Sequence, residues 1–226
     1  MEHAFDSFGR IDRRRRQYLP LERLETGFTQ ALPGNASLLP FGNGRSYGDS
    51  CHNDASFLVP MQVRKRILYF DPDMGLLTAE SGVLLSEIIA HVASHGYFLP
   101  VTPGTQFVTL GGAIANDVHG KNHHRQGTFG CHVEGLDLLR SDGVHYRCSD
   151  AENIDLFRAT IGGMGLTGLI LRATIRLMRV DGLDVEEKVL PFRDLDAYFD
   201  MAEAADHENE YAVAWLDQLS NGRGLL

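Results

Sequence analysis

Between Gly75 and Val101 the hydrophobic period of the chain changes twice. "GLLTAESGV" (75–83) is a short apolar run bounded by turn residues and predicts a strand. From Leu85 onward, Ile88, Ile89, Val92 and Ala93 follow at i+3, i+4, i+7 and i+8, a helical stripe that Gly96 closes at a C′ position. "YFLPV" (97–101) then predicts another extended piece. Strand, helix and strand in succession are the rhythm of an α/β or α+β domain.

The rhythm continues with "VEGLDLLRSDGVHYRCS" (133–149), two apolar-rich runs joined through Asp142-Gly143, a favourable hairpin turn. After the acidic stretch "SDAENIDLF" come a helical segment, the glycine-rich "GGMGLTG" and the run "LILRATIRLMRV" (169–180). In that run Leu169, Leu171, Ala173, Ile175 and Leu177 alternate with Ile170, Arg172, Thr174, Arg176 and Met178, which predicts a strand with one buried face. "VDGLDVEEKV" shifts the composition and sets a boundary near Asp181, giving a first domain over residues 1–180 and a second unit over 181–226. In the second unit Leu195, Tyr198, Phe199 and Ala202 form a helical stripe begun by Asp194, and "YAVAWLDQL" (211–219) predicts a strand. So few elements are too little for an independent core, so this unit is expected to open a larger domain that continues beyond "SNGRGLL". The aromatic residues Phe157, Phe192, Tyr198 and Trp215 are expected in the core.

Composition narrows the function. The 226 residues are 43% hydrophobic, enough for a real core, yet no run reaches the roughly 20 apolar residues of a membrane span. The N-terminal stretch lacks the apolar segment of a signal peptide, so a cytoplasmic location is expected. Cys51, Cys131 and Cys148 are odd in number and widely spaced, and are expected as reduced thiols. A formal net charge of −9 argues against a broad nucleic-acid-binding surface. "RRRR" (13–16) is the exception, and reads as a solvated face or frayed tail.

Three glycine-rich stretches carry the candidate chemistry. "GMGLTG" (163–168) matches the dinucleotide pattern GxGxxG, but that fingerprint needs a strand before it and a helix after it. Here the order is reversed, so these glycines are expected to serve tight chain reversal. No P-loop pattern is present. "FGNGRSYGDS" (41–50) and "VTPGTQFVTLGGAIANDVHGKNHH" (101–124) remain. Glycine lets successive amides converge on an anion, so the two loops together could hold a diphosphate without a lysine cluster.

These two stretches, followed by "ATIGGMGLTGLILRATI" (159–175), resemble in order and spacing the FAD-binding domain of the vanillyl-alcohol oxidase / p-cresol methylhydroxylase superfamily. "GRSYGD" and especially "HGKNHH" look most like its decaprenylphosphoryl-β-D-ribose 2′-oxidase-like branch. The resemblance implies an α+β, two-subdomain FAD-binding domain of the p-cresol methylhydroxylase type, followed by the start of an α+β substrate (cap) domain. It also implies oxidation of a secondary alcohol on a sugar or lipid-linked sugar by hydride transfer to flavin N5. In that branch a separate NAD(P)-dependent reductase completes an epimerisation, and membrane contact is expected only through a lipid-linked substrate. An aldonolactone- or alditol-type oxidase using oxygen and a non-catalytic flavin-binding module are the alternatives. In the family the second domain supplies further groups, including a lysine beyond the end of this chain, so residues 1–226 alone are expected to be inactive.

Carried over position by position, the resemblance assigns FAD contacts to Phe41, Gly42, Asn43, Gly44, Arg45, Ser46, Tyr47, Gly48 and Asp49 in the first loop. In the second it assigns Gly104, Thr109, Leu110, Gly111, Gly112, Asn116, Asp117, Val118 and His119, with Ile170 near the adenine. Tyr47, His119 and Lys121 match active-site positions, His119 to orient a sugar hydroxyl and Lys121 to place positive charge near flavin or a substrate phosphate. Relatives that attach the flavin covalently use a histidine in the first loop. Gly44-Arg45-Ser46-Tyr47 has none, and "VTPGTQFVTLGG" has no cysteine, so non-covalent FAD is expected. His119, His123 and His124 raise a rival metal reading, but Gly120 and Asn122 argue against a shared helix and no thiolate lies at ligand spacing, so no metal is expected. His91, His95 and His132 are expected to be structural or exposed. Asp49 is expected to cap its own loop.

Overall fold

The computed structural model describes residues 2–32, 34–220 and 222–226. A short antiparallel pair, β1 (Glu2–Ala4) and β2 (Arg15–Gln17), opens the chain. The basic run at its end is not a frayed tail. Arg16 is 3% exposed, with Nε donating to Asp54 Oδ1 (2.6 Å) and an Nη on the Phe5 carbonyl, while Arg14 pairs with Asp12; only Arg13, Arg14 and Arg15 face solvent. Helix α1 (Leu21–Ala31) follows Pro20 and buries Leu21, Leu24 and Phe28, a spacing of three and four that forms its inner stripe.

Strands β3 (Leu38–Phe41) and β4 (Phe57–Pro60) pair in parallel. A parallel pair cannot be joined by a tight hairpin, so the chain between them makes an excursion. That excursion is the first glycine-rich loop. Next comes β5 (Ile67–Asp71), and after it β6 (Leu76–Glu80), α2 (Leu85–Val92) and β7 (Tyr97–Phe98) make the predicted strand–helix–strand passage. Helix α2 buries Leu85, Ile88 and Val92 and passes through one 3-10 turn to Gly96, which takes the left-handed conformation (φ 74°). The second loop leads into α3 (Leu110–Ala115) and a single turn, α4 (His123–Gln126).

The hairpin of β8 (Val133–Leu139) and β9 (His145–Cys148) turns at the expected place. Asp142 Oδ1 accepts from the Val144 amide (2.9 Å), and Gly143 sits at φ 77°. Helix α5 (Ile154–Thr160) precedes β10 (Leu169–Arg176), which inserts between earlier strands to give an antiparallel sheet of order β5-β6-β10-β8-β9. The alternation in β10 predicted one buried face; the strand has two. A register shift between Ile170 and Arg172 lets Leu169 and Leu171 pack toward α1 with Val59 and Met61. Ala173 and Ile175 instead join Leu77, Leu136 and Leu138 beneath α2 and α3. Strand β11 (Met178–Arg179) returns to pair with β7.

Residues 181–189 are all exposed. Beyond them β12 (Pro191–Phe192), α6 (Leu195–Glu208), β13 (Trp215–Leu216) and β14 (Gly224–Leu225) form a small unit with sheet order β12-β14-β13. Asp194 caps α6 as predicted, its Oδ1 accepting from the Ala197 amide (2.8 Å). Phe157 and Phe192 are buried and Tyr198 is half-buried, but Trp215 is 64% exposed because only two residues of "YAVAWLDQL" enter a strand, and that strand is an edge. No helix among the described residues is long and apolar enough to cross a membrane. The chain is an α+β protein.

Candidate functional site

The two glycine-rich loops face each other across a cavity of about 630 Å³, within the usual size range of cofactor and ligand sites. Asn43 ties them together: its Nδ2 donates to the Phe107 carbonyl (2.8 Å) and its Oδ1 accepts from Gln62 Nε2 (3.1 Å). The Asn43 side chain is therefore committed to holding the walls. The N-terminal arm completes them. Phe8 lines the cavity, its amide donates to the Ser46 carbonyl (3.1 Å), and its ring stands edge-on to Tyr47 at 5.4 Å. At Gly44 (φ 60°) a Cβ would lie 2.1 Å from the Asp6 carbonyl, so only glycine lets the arm dock there.

The α3 turn and the first loop differ in their free donors. Around α3 every early amide is already used: Leu110 N donates to Val83 O (2.8 Å), Gly111 N to Ser81 O (2.7 Å) and Gly112 N to Thr109 Oγ1 (3.1 Å). The expectation of converging amides in the second loop therefore does not extend to the α3 turn; ahead of it, the amides of Gly104 and Thr105, which line the cavity, donate to no group among the described residues. In the first loop the amides of Asn43, Gly44, Arg45, Ser46 and Tyr47 donate to no group among the described residues. Five consecutive uncommitted donors beside a cavity suit an anionic ligand.

Most predicted contact residues reach the wall. Gly42 through Tyr47 line it from one side. Gly104, Thr109, Gly111 and Gly112 line it from the other, with Asn116, Val118, His119 and Ile170. The rest do not. Phe41 and Leu110 are core residues, their side chains directed away from the loops they anchor. Gly48 and Asp49 lie past the rim, and the backbone carbonyl of Asp49, not its carboxylate, accepts from His52 N (2.8 Å). Asp117 (φ 42°) accepts at Oδ1 from the Gly130 amide (2.8 Å), a brace behind the wall.

Of the three residues assigned to chemistry, Tyr47 (81% exposed) stands at the rim and His119 lines the cavity. Lys121 is exposed and outside the lining. Its neighbours explain why: Asn122 is fully buried and donates to the Pro100 carbonyl (2.8 Å), so beyond His119 the "HGKNHH" strip is anchored beside the cavity. His123 and His124 open α4, and His91 and His95 pack against Phe70.

The sequence reading missed part of the wall. Met164, Gly165 and Gly168 line the cavity, so the "GMGLTG" turn does more than reverse the chain. Gly165 (φ 78°) approaches Pro40 so closely that a Cβ would lie 2.6 Å away, which closes the wall there. Cys51 and Met61 also contribute, and burial holds the Cys51 thiol above its ordinary pKa, so it is a weak nucleophile. Ser81, at the end of β6, is 1% exposed and its Oγ has no hydrogen-bond partner among the described residues. An unpartnered buried hydroxyl costs about 1–3 kcal/mol. Ser81→Ala is therefore expected to leave the cofactor-free protein as stable or more so, by up to about 1 kcal/mol, in urea unfolding. A clear loss of stability would show that the hydroxyl is paired in solution.

Glu80 precedes Ser81 and fixes that strand end. Its carboxylate accepts from the Arg66 amide (2.9 Å) and from Arg66 Nε and Nη (3.2 and 2.9 Å), and pairs with Arg64 (3.1 Å). Arg64 also pairs with Glu25 on α1.

FAD fits these residues. Uncommitted amides match a pyrophosphate, glycines admit close backbone approach, and Met61, Val108, Ala115 and Ile170 supply apolar wall for rings. Comparison with known proteins agrees. The family described as "FAD binding domain" matches residues 29–149. The chain is 43% identical to decaprenylphosphoryl-beta-D-ribose oxidase of Mycolicibacterium smegmatis over 148 residues, 65% of this chain and 32% of that protein. It is 30% identical to L-gulonolactone oxidase of Mus musculus over 142 residues, 63% and 32% of the two chains. It is 30% identical to Delta(24)-sterol reductase of Homo sapiens over 131 residues, 58% and 25%. The chain thus spans about a third or less of the length of these relatives. With the match covering more than half of its residues, the chain belongs to the FAD binding domain family, of the p-cresol methylhydroxylase type, and its cofactor is FAD.

Proposed function

We propose that FAD occupies the cavity between the two glycine-rich loops and that the protein is an oxidoreductase acting on a secondary alcohol of a sugar or lipid-linked sugar. The observation that carries this reading is the row of five uncommitted amides, Asn43 to Tyr47, facing a wall that ends at His119. When bound, FAD supplies the redox step by accepting hydride at N5. The chain's own residues bind and orient. The first-loop amides hold the pyrophosphate, Asn43 keeps the loops at fixed spacing, and Tyr47 with Phe8 borders the entrance. His119 orients the substrate hydroxyl, and Lys121 stands beside it as a positive charge for the flavin or a substrate phosphate. The 43% identity to a decaprenylphosphoryl-ribose oxidase supports the sugar class; a nicotinamide-dependent reductase as a partner is part of the same proposal.

FAD is held without a covalent bond. No histidine lies in the stretch "FGNGRSYGDS" (41–50), and the thiol at the wall, Cys51, is poorly ionised. Acid precipitation of the yellow protein is expected to leave FAD in the supernatant; flavin that stays on the polypeptide would overturn this part. The likeness to L-gulonolactone oxidase favours a second reading, an aldonolactone or alditol oxidase using oxygen. Oxygen uptake by the full-length protein with simple lactones or polyols, and none with lipid-linked pentose, would select it.

A further inference from the structure

The strip from His119 to Gln126 touches two parts of the protein at once. On one side lies the cavity; on the other, the end of α6 and the residues after it. Glu210 is the centre of the second contact. Its Oε1 accepts from Asn122 Nδ2 (3.0 Å) and from Gln126 Nε2 (2.9 Å), and its Oε2 lies 3.8 Å from Arg125 Nε. Around it, Arg125 donates to the Asn209 carbonyl (3.1 Å) and the Ala212 amide donates to the carbonyl of Lys121 (2.9 Å). Gly120 is wedged so tightly that a Cβ would meet the Thr102 carbonyl at 2.8 Å and Asn122 Oδ1 at 2.9 Å. The backbone carrying His119 and Lys121 is therefore clamped from both sides, and one clamp comes from residues more than eighty positions later.

We propose that Glu210 is a positioning residue: by holding Asn122 and Gln126 through one carboxylate oxygen, it fixes the strip that carries His119 at the cavity wall and Lys121 next to it. This rests on the placement of Lys121 given under the proposed function. Asn122 is fully buried, so its amide needs acceptors, and Glu210 supplies one of its two. A carboxylate accepting from two neutral amides makes stronger bonds than a neutral acceptor would. Loss of the carboxylate leaves the strip held on that side by the Ala212 amide on the Lys121 carbonyl and by Arg125 on the Asn209 carbonyl.

The test uses the FAD-loaded protein and sulfite as the probe. Sulfite adds through its sulfur lone pair to flavin N5, the displaced electron pair moves into the ring, and a nearby positive charge stabilises the resulting anion. Its dissociation constant therefore reads the position of Lys121 without turnover. Lys121→Met is expected to weaken sulfite binding, and Glu210→Ala to weaken it roughly tenfold, the size of one lost charge-assisted hydrogen bond, with FAD content unchanged. Glu210→Gln keeps an oxygen for Asn122 and Gln126 and is expected to stay within about twofold of the parent. The double variant Lys121→Met/Glu210→Ala is expected to bind sulfite no worse than Lys121→Met alone, because the two act in series. Glu210→Ala that lowers the melting temperature but leaves sulfite affinity intact would overturn the proposal, as would additive effects in the double variant. If Lys121→Met itself changes nothing while FAD is bound, the placement of Lys121 falls and takes this proposal with it. A parent protein that binds no FAD would overturn both at the level of the cofactor site.

Discussion

Gly111→Val is expected to abolish FAD retention and to cost about 3 kcal/mol or more of stability. The reason is backbone contact. A Cβ at Gly111 would lie 2.8 Å from the Ser81 Cβ and 3.2 Å from the Ser81 carbonyl, the group that accepts the Gly111 amide at 2.7 Å. Ser81 cannot retreat, because its own amide donates to the Leu171 carbonyl (3.0 Å) in the middle of the sheet. A valine must therefore lever α3 away from β6 and open the cavity wall. Gly112→Val meets a side chain instead, Thr109 Oγ1 at 2.9 Å, and is expected to cost about 1 kcal/mol through the disturbed helix cap. Asn43→Ala removes the tie between the loops but leaves every first-loop amide in place, so its FAD affinity is expected to fall only about tenfold. Flavin absorbance per polypeptide after desalting, with urea unfolding, ranks the three. Equal retention by all three would mean that these residues do not form the cofactor wall.

Glu80→Gln is expected to destabilise the protein by about 2–3 kcal/mol at pH 7, and to remove a component of its acid sensitivity. Hydrogen bonds from Arg66 are the main cause that lowers the Glu80 carboxyl from 4.5 to about 2, helped by the Arg66 amide and by Arg64. Glu80 is 3% exposed, while Arg66 is largely in solvent, which keeps the figure below the full shift. The sign follows from the lowered value. Above pH 4.5 the folded and unfolded carboxyls are both ionised and the stabilisation is complete; as pH falls from 4.5 toward 2 the unfolded carboxyl takes a proton first and the stabilisation is lost. Urea unfolding at pH 7 and pH 3 is expected to show a smaller difference for the glutamine variant than for the parent. Identical pH dependence would exclude Glu80 as a contributor.

Elements governed by neighbours in sequence were readable from sequence. The stripe of α2, the Gly96 terminus, the Asp142-Gly143 turn and the Asp194 cap each depend on residues within a turn or two, and each stands where expected. The order helix, glycine turn, strand around "GMGLTG" was readable for the same reason. Features made by distant pairing were not. Arg16 looks like part of a solvated basic run until Asp54 is placed beside it, and Leu171 changes face because of a bulge against β8. At the site, the resemblance located the wall residues of both loops, yet could not tell that the α3 amides are committed and those of the first loop are not. That difference depends on Ser81 and Val83, residues with no motif of their own. Lys121 is a similar case, since Asn122 next to it is held by Pro100 and Glu210 from two separate parts of the chain.

The strand order β5-β6-β10-β8-β9 also dictates when the molecule can come together. Strand β10 is the middle of the sheet but the last of its five strands to leave the ribosome. At roughly 5–20 residues per second, several seconds separate the synthesis of β6 from that of β10. During that interval β6 and β8 each have one open edge, and Leu77, Leu136 and Leu138 lack the Ala173 and Ile175 that later cover them. Nor is there a cavity, since Ile170 and Gly168 are part of its wall. A nascent chain of this protein therefore passes through a window of exposure to chaperones and to aggregation in which the cofactor has no finished site to bind and cannot assist folding.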